Sequence, residues 1–319
     1  MAKQEVPMFT VFGGGGFIGR YVCEALLKSG VRLRVAQRDP RRAFFIQPLG
    51  QVGQVGFVKA DMARPESIAR AVEGATGVVN LVGIFDGPLQ TVHVDGPRAA
   101  ASAAREAGAA SFVHVSAIGA DPSAASEYGS SKGRGEEAVR AAFPDATIVR
   151  PSVVFGPEDD FTNRFASLAR LPVLPVIAPN TRFQPVFARD LGKAIAEAAL
   201  NPQRHGGKTY ELGGPEVLTM REINAQIAEM AGQRPSMVDL PGFVSGAIAS
   251  FGFLPGAPLS RDQWAMLQHD NVVSDGASGF ESFGIDPAPM SAVAPSWLGR
   301  FVRGGRFAPK ATQSGETAA

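Results

Sequence analysis

Short apolar runs alternate, along the first half of the chain, with stretches whose apolar residues recur at helical spacing. Met8–Phe12 is rich in strand formers, and Phe17 to Leu27 repeats apolar residues (Phe17, Tyr21, Val22, Leu26) on one helical face, with Gly30 as its stop. Leu33–Ala36 and Gln54–Lys59 read as the second and third strands, Pro65 opens a helix through Val72, and Gly77–Leu81 reads as strand four. An alanine-rich helix covers Val94 to Ala107, Phe112–Val115 is strand five, Tyr128 to Ala142 is helical, and Thr147–Arg150 is strand six. Such alternation implies crossover units, hence an α/β, doubly wound parallel sheet with both faces covered, over residues 1–155. Beyond Pro151 proline becomes frequent, and "RLPVLPVIAPN" excludes a helix. Helices resume at Ala188–Leu200 and at Thr219, whose spacing to Glu222 spells a capping box. Residues 156–309 therefore predict a smaller, less regular C-terminal lobe, interleaved with the first domain across the carboxyl ends of its strands. The polar residues 310–319 predict a disordered tail.

The turn after strand one, "VFGGGGFIGR", raises the first chemical question. Four consecutive glycines carry a large entropic cost on folding, which a bare turn needs a reason to bear. Gly13, Gly16 and Gly19 have the spacing G-x-x-G-x-x-G between a strand and a helix. Backbone N–H groups there approach a phosphate closely, and the helix dipole favours its charge, as in the Rossmann dinucleotide fold. The expected cradle is Gly13, Gly15, Gly16, Phe17, Ile18 and Gly19; the plainer alternative is a tight turn without a ligand. Strand two ends in "VAQRD", where a ribose-binding acid would fall on Gln37 and is followed by Arg38. A cation suits a 2′-phosphate, so NADP(H) is favoured over NAD(H). A register shift of two would instead make Asp39 the acid, and the arginines at 38, 41 and 42 also fit a solvated turn. Asp61 and Met62 ("ADM") and Leu81, Val82 and Gly83 ("NLVG") stand at strand ends facing the expected cofactor, Asp61 toward the adenine amine.

Composition narrows the remaining classes. With 31 Lys+Arg against 30 Asp+Glu, no general attraction to nucleic acid is implied. One cysteine, Cys23, excludes an internal disulfide and fits a reducing compartment. The four histidines lack ligand spacing, so no metal site is expected. The chain enters its first strand after a few polar residues, so no secretory signal is expected. Prolines interrupt the uncharged stretch Leu240 to Ser260, so no transmembrane helix is expected.

"YGSSK" sets Tyr128 and Lys132 four apart, on one helical face, shortly after strand five and its Ser116. An ammonium beside a phenol lowers the phenol's pKa and makes it a proton donor or acceptor, while the lysine also reaches a nicotinamide ribose. The plain alternative is a surface pair. The glycine spacing, the strand-five serine and Y-x-x-x-K in this order resemble the extended or atypical short-chain dehydrogenase/reductase superfamily over almost the whole chain. The resemblance implies catalytic roles for Tyr128, Lys132 and Ser116. It also implies cofactor contacts from Val115, Ser116, Tyr128 and Lys132, and from Pro151, Ser152, Val153 and Val154 in "RPSVVFGPED".

Within that superfamily, "NLVG", "VDGPRAAASAAREAG", "FVHVSAIGAD" and "RPSVVFGPEDDFTNRFA" resemble the reductase-like accessory subunit of respiratory complex I (NADH:ubiquinone oxidoreductase) and its bacterial relatives. That branch implies a tightly held, mainly structural NADPH and partners among the complex I subunits. It also implies a cytoplasmic position, peripheral at the inner face of the energy-coupling membrane. The family's asparagine is absent, its segment reading His93-Val94-Asp95-Gly96-Pro97, and Ala117 or Ile118 competes with Ser116 for the serine's place. Whether the chain is an enzyme is thus open at the level of sequence. The alternatives are a free NADP-dependent reductase or sugar-nucleotide epimerase, or a reductase-like protein associated with ubiquinone biosynthesis. In the tail "APSWLGRFVRGGRFAPK", Trp297, Phe301 and Phe307 interleave with Arg300, Arg303, Arg306 and Lys310, as expected of a membrane or partner surface.

Overall fold

Short strands, buried on both faces at the centre of the sheet, align seven abreast in parallel. The computed structural model describes residues 6–250 and 259–302. Strands β1 (Met8–Phe12), β2 (Arg32–Gln37), β3 (Val55–Lys59), β4 (Gly77–Asn80), β5 (Ser111–Val115) and β6 (Thr147–Pro151) are joined by a seventh, Thr209–Leu212. Their order across the sheet is Thr209–Leu212, β6, β5, β4, β1, β2, β3. The order reverses between β1 and β4, which opens a crevice at the carboxyl ends there.

Helices α1 (Phe17–Lys28), α2 (Pro65–Val72), α3 (Gly96–Glu106), α4 (Glu127–Ala142), α5 (Phe161–Leu168) and α6 (Ala188–Leu200) complete the frame. Period-two alternation sorts the strands' side chains. Val11, Val35 and Val79, in register across β1, β2 and β4, join α1 and α6 in one core. Phe12, Ala36 and Val78 face α2, α3 and α4 in the other. Cys23, fully buried on α1, packs its Sγ 3.9 Å from the Gly14 carbonyl as a free thiol.

Residues beyond 155 return to this frame. Helix α6 lies against α1 so closely that a Cβ on Gly192 would stand 2.7 Å from the Tyr21 Cβ. The strand Thr209–Leu212 then extends the sheet beside β6. The remaining lobe has its own core. Trp297 stacks on Phe187 at 6.3 Å between centroids, over Met220, Ile223 and Ile227. The capping box at Thr219 and Glu222 starts the helix Met220–Met230 as expected.

This corrects one expectation. Trp297 is buried, Phe301 packs against the lobe core, and Arg300 Nη2 donates to Asn163 Oδ1 at 2.6 Å. Those residues of the basic-aromatic segment hold the lobe together, because a ring that finds an apolar cluster leaves water. Residues 303–319, with Arg303, Arg306, Phe307 and Lys310 and the tail expected to be disordered, lie outside the described residues, as does part of Leu240 to Ser260. No helix among the described residues is long and apolar enough to cross a membrane.

The α1–α6 contact gives a direct test. Gly192→Ala forces the two helices apart, and the expected loss is about 1–3 kcal/mol of unfolding free energy. Urea denaturation measures it. An unchanged midpoint would mean that the helices do not meet at this distance.

Candidate functional site

The crevice starts at the glycine turn. Gly13 has φ +76°, a conformation that favours glycine, and its N–H donates to Ala36 O on β2 (3.0 Å). Gly16 N–H returns to Gly13 O at 2.9 Å. A Cβ on Gly19 would lie 2.4 Å from Gly13 O and 2.5 Å from Gly14 O, so only glycine lets α1 start here. Gly16, the exposed N-cap of α1, brings no side-chain cap, which leaves the helix's first N–H groups for an anion. Around this cradle, Val82 Cγ2 reaches within 3.3 Å of where a Gly13 Cβ would be, and Phe17 packs against Gly156. Leu81, Val82 and Ile18 are half-buried and Gly83 is exposed. These bare donors and close walls fit a dinucleotide pyrophosphate.

At the adenosine end, β2 finishes at Gln37, in the register read from the sequence. Gln37 Oε1 accepts from Gly15 N (3.0 Å) and its Nε2 donates to Asp39 O (2.6 Å). The amide thus braces the glycine turn and offers no carboxylate to a ribose. Asp39 caps the 3-10 helix Pro40–Leu49 by accepting from Arg41 N at 3.2 Å. Arg38 is exposed, and no described residue hydrogen-bonds or pairs with it. Asp61 Oδ1 accepts from Ala63 N (3.0 Å), while Met62 is buried, 2.6 Å from where a Cβ on Gly96 would be.

The other end of the crevice gathers Tyr128, Lys132 and Ser116. Helix α4 begins behind Ser126, whose Oγ accepts from Gly129 N (3.0 Å). Lys132, buried one turn after Tyr128, donates to Val115 O at 3.0 Å, with Nζ 6.0 Å from the phenol's ring centroid. Burial drops its pKa to about 8. Burial also pushes Tyr128 up to about 12, against the lowering expected from the sequence, and Phe85 stacks on its ring at 4.9 Å. Burial thus opposes a phenolate at Tyr128 and an ammonium at Lys132 alike. No described residue hydrogen-bonds the Tyr128 hydroxyl. Ser116, just past β5, is buried with an Oγ that has no partner among the described residues, so this hydroxyl awaits a ligand's polar group.

His93 has a role that spacing did not disclose. Fully buried, it presents its ring edge-on to Tyr128 at 5.4 Å. Its Nε2 accepts from Ile84 N (3.1 Å) and its Nδ1 donates to Ser131 Oγ (2.8 Å). Burial, with Lys132 nearby, depresses its pKa to about 3, so it is neutral. His93 therefore ties the Phe85 loop to α4. His114 lies deeper, its Nδ1 accepting from Asn80 Nδ2 at 3.1 Å.

Three residues distant in sequence close the crevice. Glu158 accepts from Tyr21 Oη (2.5 Å) and pairs with Arg20, strapping the segment after β6 to α1. Asp262 accepts from the Glu127 and Tyr128 amides (2.6 and 3.1 Å) and so caps α4 from the other lobe. Asn271 accepts from Ser152 Oγ (2.7 Å) and Val153 N (3.1 Å) and donates to Ile118 O (3.3 Å). The Ser152 hydroxyl is thereby engaged within the protein. Pro151 is buried and Val153 and Val154 are half-buried beside it. A cavity of about 460 Å³ opens next to Asn271, lined by Gln184, Val217, Val272 and Val273 among others.

Comparison with known proteins agrees with this geometry. Residues 13–166 match the family model described as NAD(P)H-binding. The chain is 35% identical over 292 residues to the mitochondrial NADH dehydrogenase (ubiquinone) 1 alpha subcomplex subunit 9 of Rattus norvegicus, covering 88% of this chain and 77% of that one. It is 32% identical over 316 residues to a ceramide reductase of Caulobacter vibrioides, covering 94% and 92%. Among solved structures, the NADPH-dependent quinone oxidoreductase of Escherichia coli, complexed with NADPH, superposes with a TM-score of 0.74 at 18% identity, over 91% of this chain and 99% of that one.

The neutral His93 sets a pH dependence. Below about pH 6.5 the unfolded chain protonates this ring, whereas the folded protein resists until about pH 3, so stability falls as pH drops through that window. Denaturation of wild type and His93→Asn at pH 7, 5 and 4 is expected to show the wild type losing more, by up to about 1.4 kcal/mol per pH unit. Parallel pH profiles would contradict a neutral His93.

Proposed function

The chain belongs to the NAD(P)H-binding, short-chain-dehydrogenase-like family of the NADH dehydrogenase 1 alpha subcomplex subunit 9, and from that membership we propose that it is an NADP(H)-binding accessory subunit of respiratory complex I. In this reading the nucleotide is mainly structural. The protein lies peripherally on the inner, cytoplasmic face of the energy-coupling membrane, and its partners are complex I subunits. The observation that carries the reading is the glycine cradle, where only glycine fits at position 19 and the first N–H groups of α1 have no side-chain cap, beside a Tyr128 stacked on Phe85 and a His93 engaged in holding that ring's loop. The nucleotide cradle is intact, while Phe85 stacks on one face of the half-buried Tyr128 ring. Gln37 and Asp39 are both engaged within the protein and Arg38 is free, which supports NADP(H) over NAD(H).

A reductase is the second reading, favoured by one observation. Ser116 Oγ, without a partner among the described residues, shares the crevice end with Tyr128 and Lys132. A relative named ceramide reductase accords with it. Turnover then requires the Phe85 loop to lift from Tyr128.

Two experiments separate and test these readings. Tyr128→Phe deletes only the hydroxyl and is expected to leave bound NADPH and the NADH:quinone activity of membranes from a complemented deletion strain nearly intact. Lys132→Ala is expected to loosen NADPH. Loss of activity in a folded, NADPH-loaded Tyr128→Phe protein would favour the reductase. For the cofactor, calorimetry of Arg38→Ala is expected to show a loss of about 1.5–3 kcal/mol for NADPH and almost none for NADH. Equal losses would contradict the assignment.

A further inference from the structure

The 3-10 helix Pro40–Leu49 is held by two side chains, Ala43 and Ile46, both fully buried. It turns three large apolar side chains to solvent: Phe44 is 49% exposed, Phe45 37% and Leu49 41%. Val52, in the turn that follows, is fully exposed. Phe44 meets Phe57 of β3 edge-on at 5.0 Å, and the Arg20 guanidinium lies 4.5 Å over the Phe45 ring. Four exposed large hydrophobics within nine residues form a patch of the kind that marks an interaction site. The patch borders β3, which ends the sheet with no further strand beside it among the described residues.

The sequence around the patch is basic. Between Arg32 and Arg64 the sequence holds seven Lys and Arg against two Asp, in a chain whose net charge is +1. One of these cations, Arg38, suffices for a 2′-phosphate. Arg41 and Arg42 remain exposed beside the phenylalanines.

Building on the accessory-subunit reading, we infer that Arg41, Arg42, Phe44, Phe45, Leu49 and Val52 form the docking face for a neighbouring protein of that assembly, whose contact surface is apolar at its centre and acidic at its rim. A protein is favoured over a lipid surface by the strand edge beside the patch. The open edge of β3 offers main-chain groups that only another chain pairs, and the four apolar side chains lie on the helix and turn that precede that edge. The opposite, buried side of the same 3-10 helix packs Ala43 beside Gly15 of the nucleotide cradle.

Photo-cross-linking in native membranes tests the face. The full chain carries p-benzoylphenylalanine at Phe44, at Phe45 or, as a control on the other lobe, at Leu171. Adducts at 44 and 45 are expected with one protein that co-migrates with NADH dehydrogenase, mapped to a segment rich in Asp and Glu. The charge-reversed pair Arg41→Glu/Arg42→Glu is expected to lower adduct yield at least ten-fold while nucleotide content is unchanged, and Leu171 is expected to give no adduct with that protein. If the chain co-migrates with the dehydrogenase but positions 44 and 45 give no such adduct, the docking face is wrong and the accessory role stands. Failure to co-migrate at all overturns both. Adducts with a second copy of the chain overturn the proposal. So does flotation with phosphatidylglycerol vesicles that Phe44→Ser/Phe45→Ser abolishes.

Discussion

The crevice depends on how closely helix α1 approaches the turn before it. Main-chain atoms of Gly13 and Gly14 occupy the space in which any side chain at Gly19 would begin. Because α1 starts there, its uncapped N–H groups point into the crevice at the reversal of strand order, where an anion gains from both the donors and the helix dipole. Other parts of the structure are arranged to hold this approach. Gln37 braces the turn from β2, Gly192 admits α6 against the back of α1, and Glu158 ties the far lobe to Arg20 and Tyr21.

Much of this frame was legible in the sequence because its signals are local. The helix from Pro65 to Val72 and that from Ala188 to Leu200 have the bounds that periodicity and punctuation indicated, and the Thr219 capping box is present as written. The glycine spacing and the strand ends likewise located the crevice. Interactions between residues far apart in the chain were not legible. The strand Thr209–Leu212 is only four residues long in a glycine-rich stretch, and its partner β6 lies about sixty residues earlier. Nothing near Asp262 or Asn271 reveals that one caps α4 and the other joins Ile118 to Ser152. Trp297 read as a surface aromatic because its arginine neighbours are local and its ring partners, Phe155 and Phe187, are not.

The proton-transfer end shows how burial changes the meaning of a motif. Tyrosine and lysine at i and i+4 share a face of α4, yet desolvation acts on them in opposite directions, raising the phenol and lowering the ammonium. The pair that would exchange a proton in a wet site is driven toward its two uncharged forms. His93 follows the same logic: a group that water would protonate near neutrality is kept neutral and used to position a loop. Burial is the common cause of all three shifts.

The chain's single cysteine has a consequence of a different kind. Cys23 Sγ lies 3.1 Å from where a Gly14 side chain would start, and the thiol is wholly enclosed between α1 and the sheet. A thiol reagent therefore reaches it only when the helix lifts from the turn. The rate of its alkylation becomes an internal clock for breathing of the glycine turn, and any bound molecule that steadies the turn slows that clock without touching the sulfur.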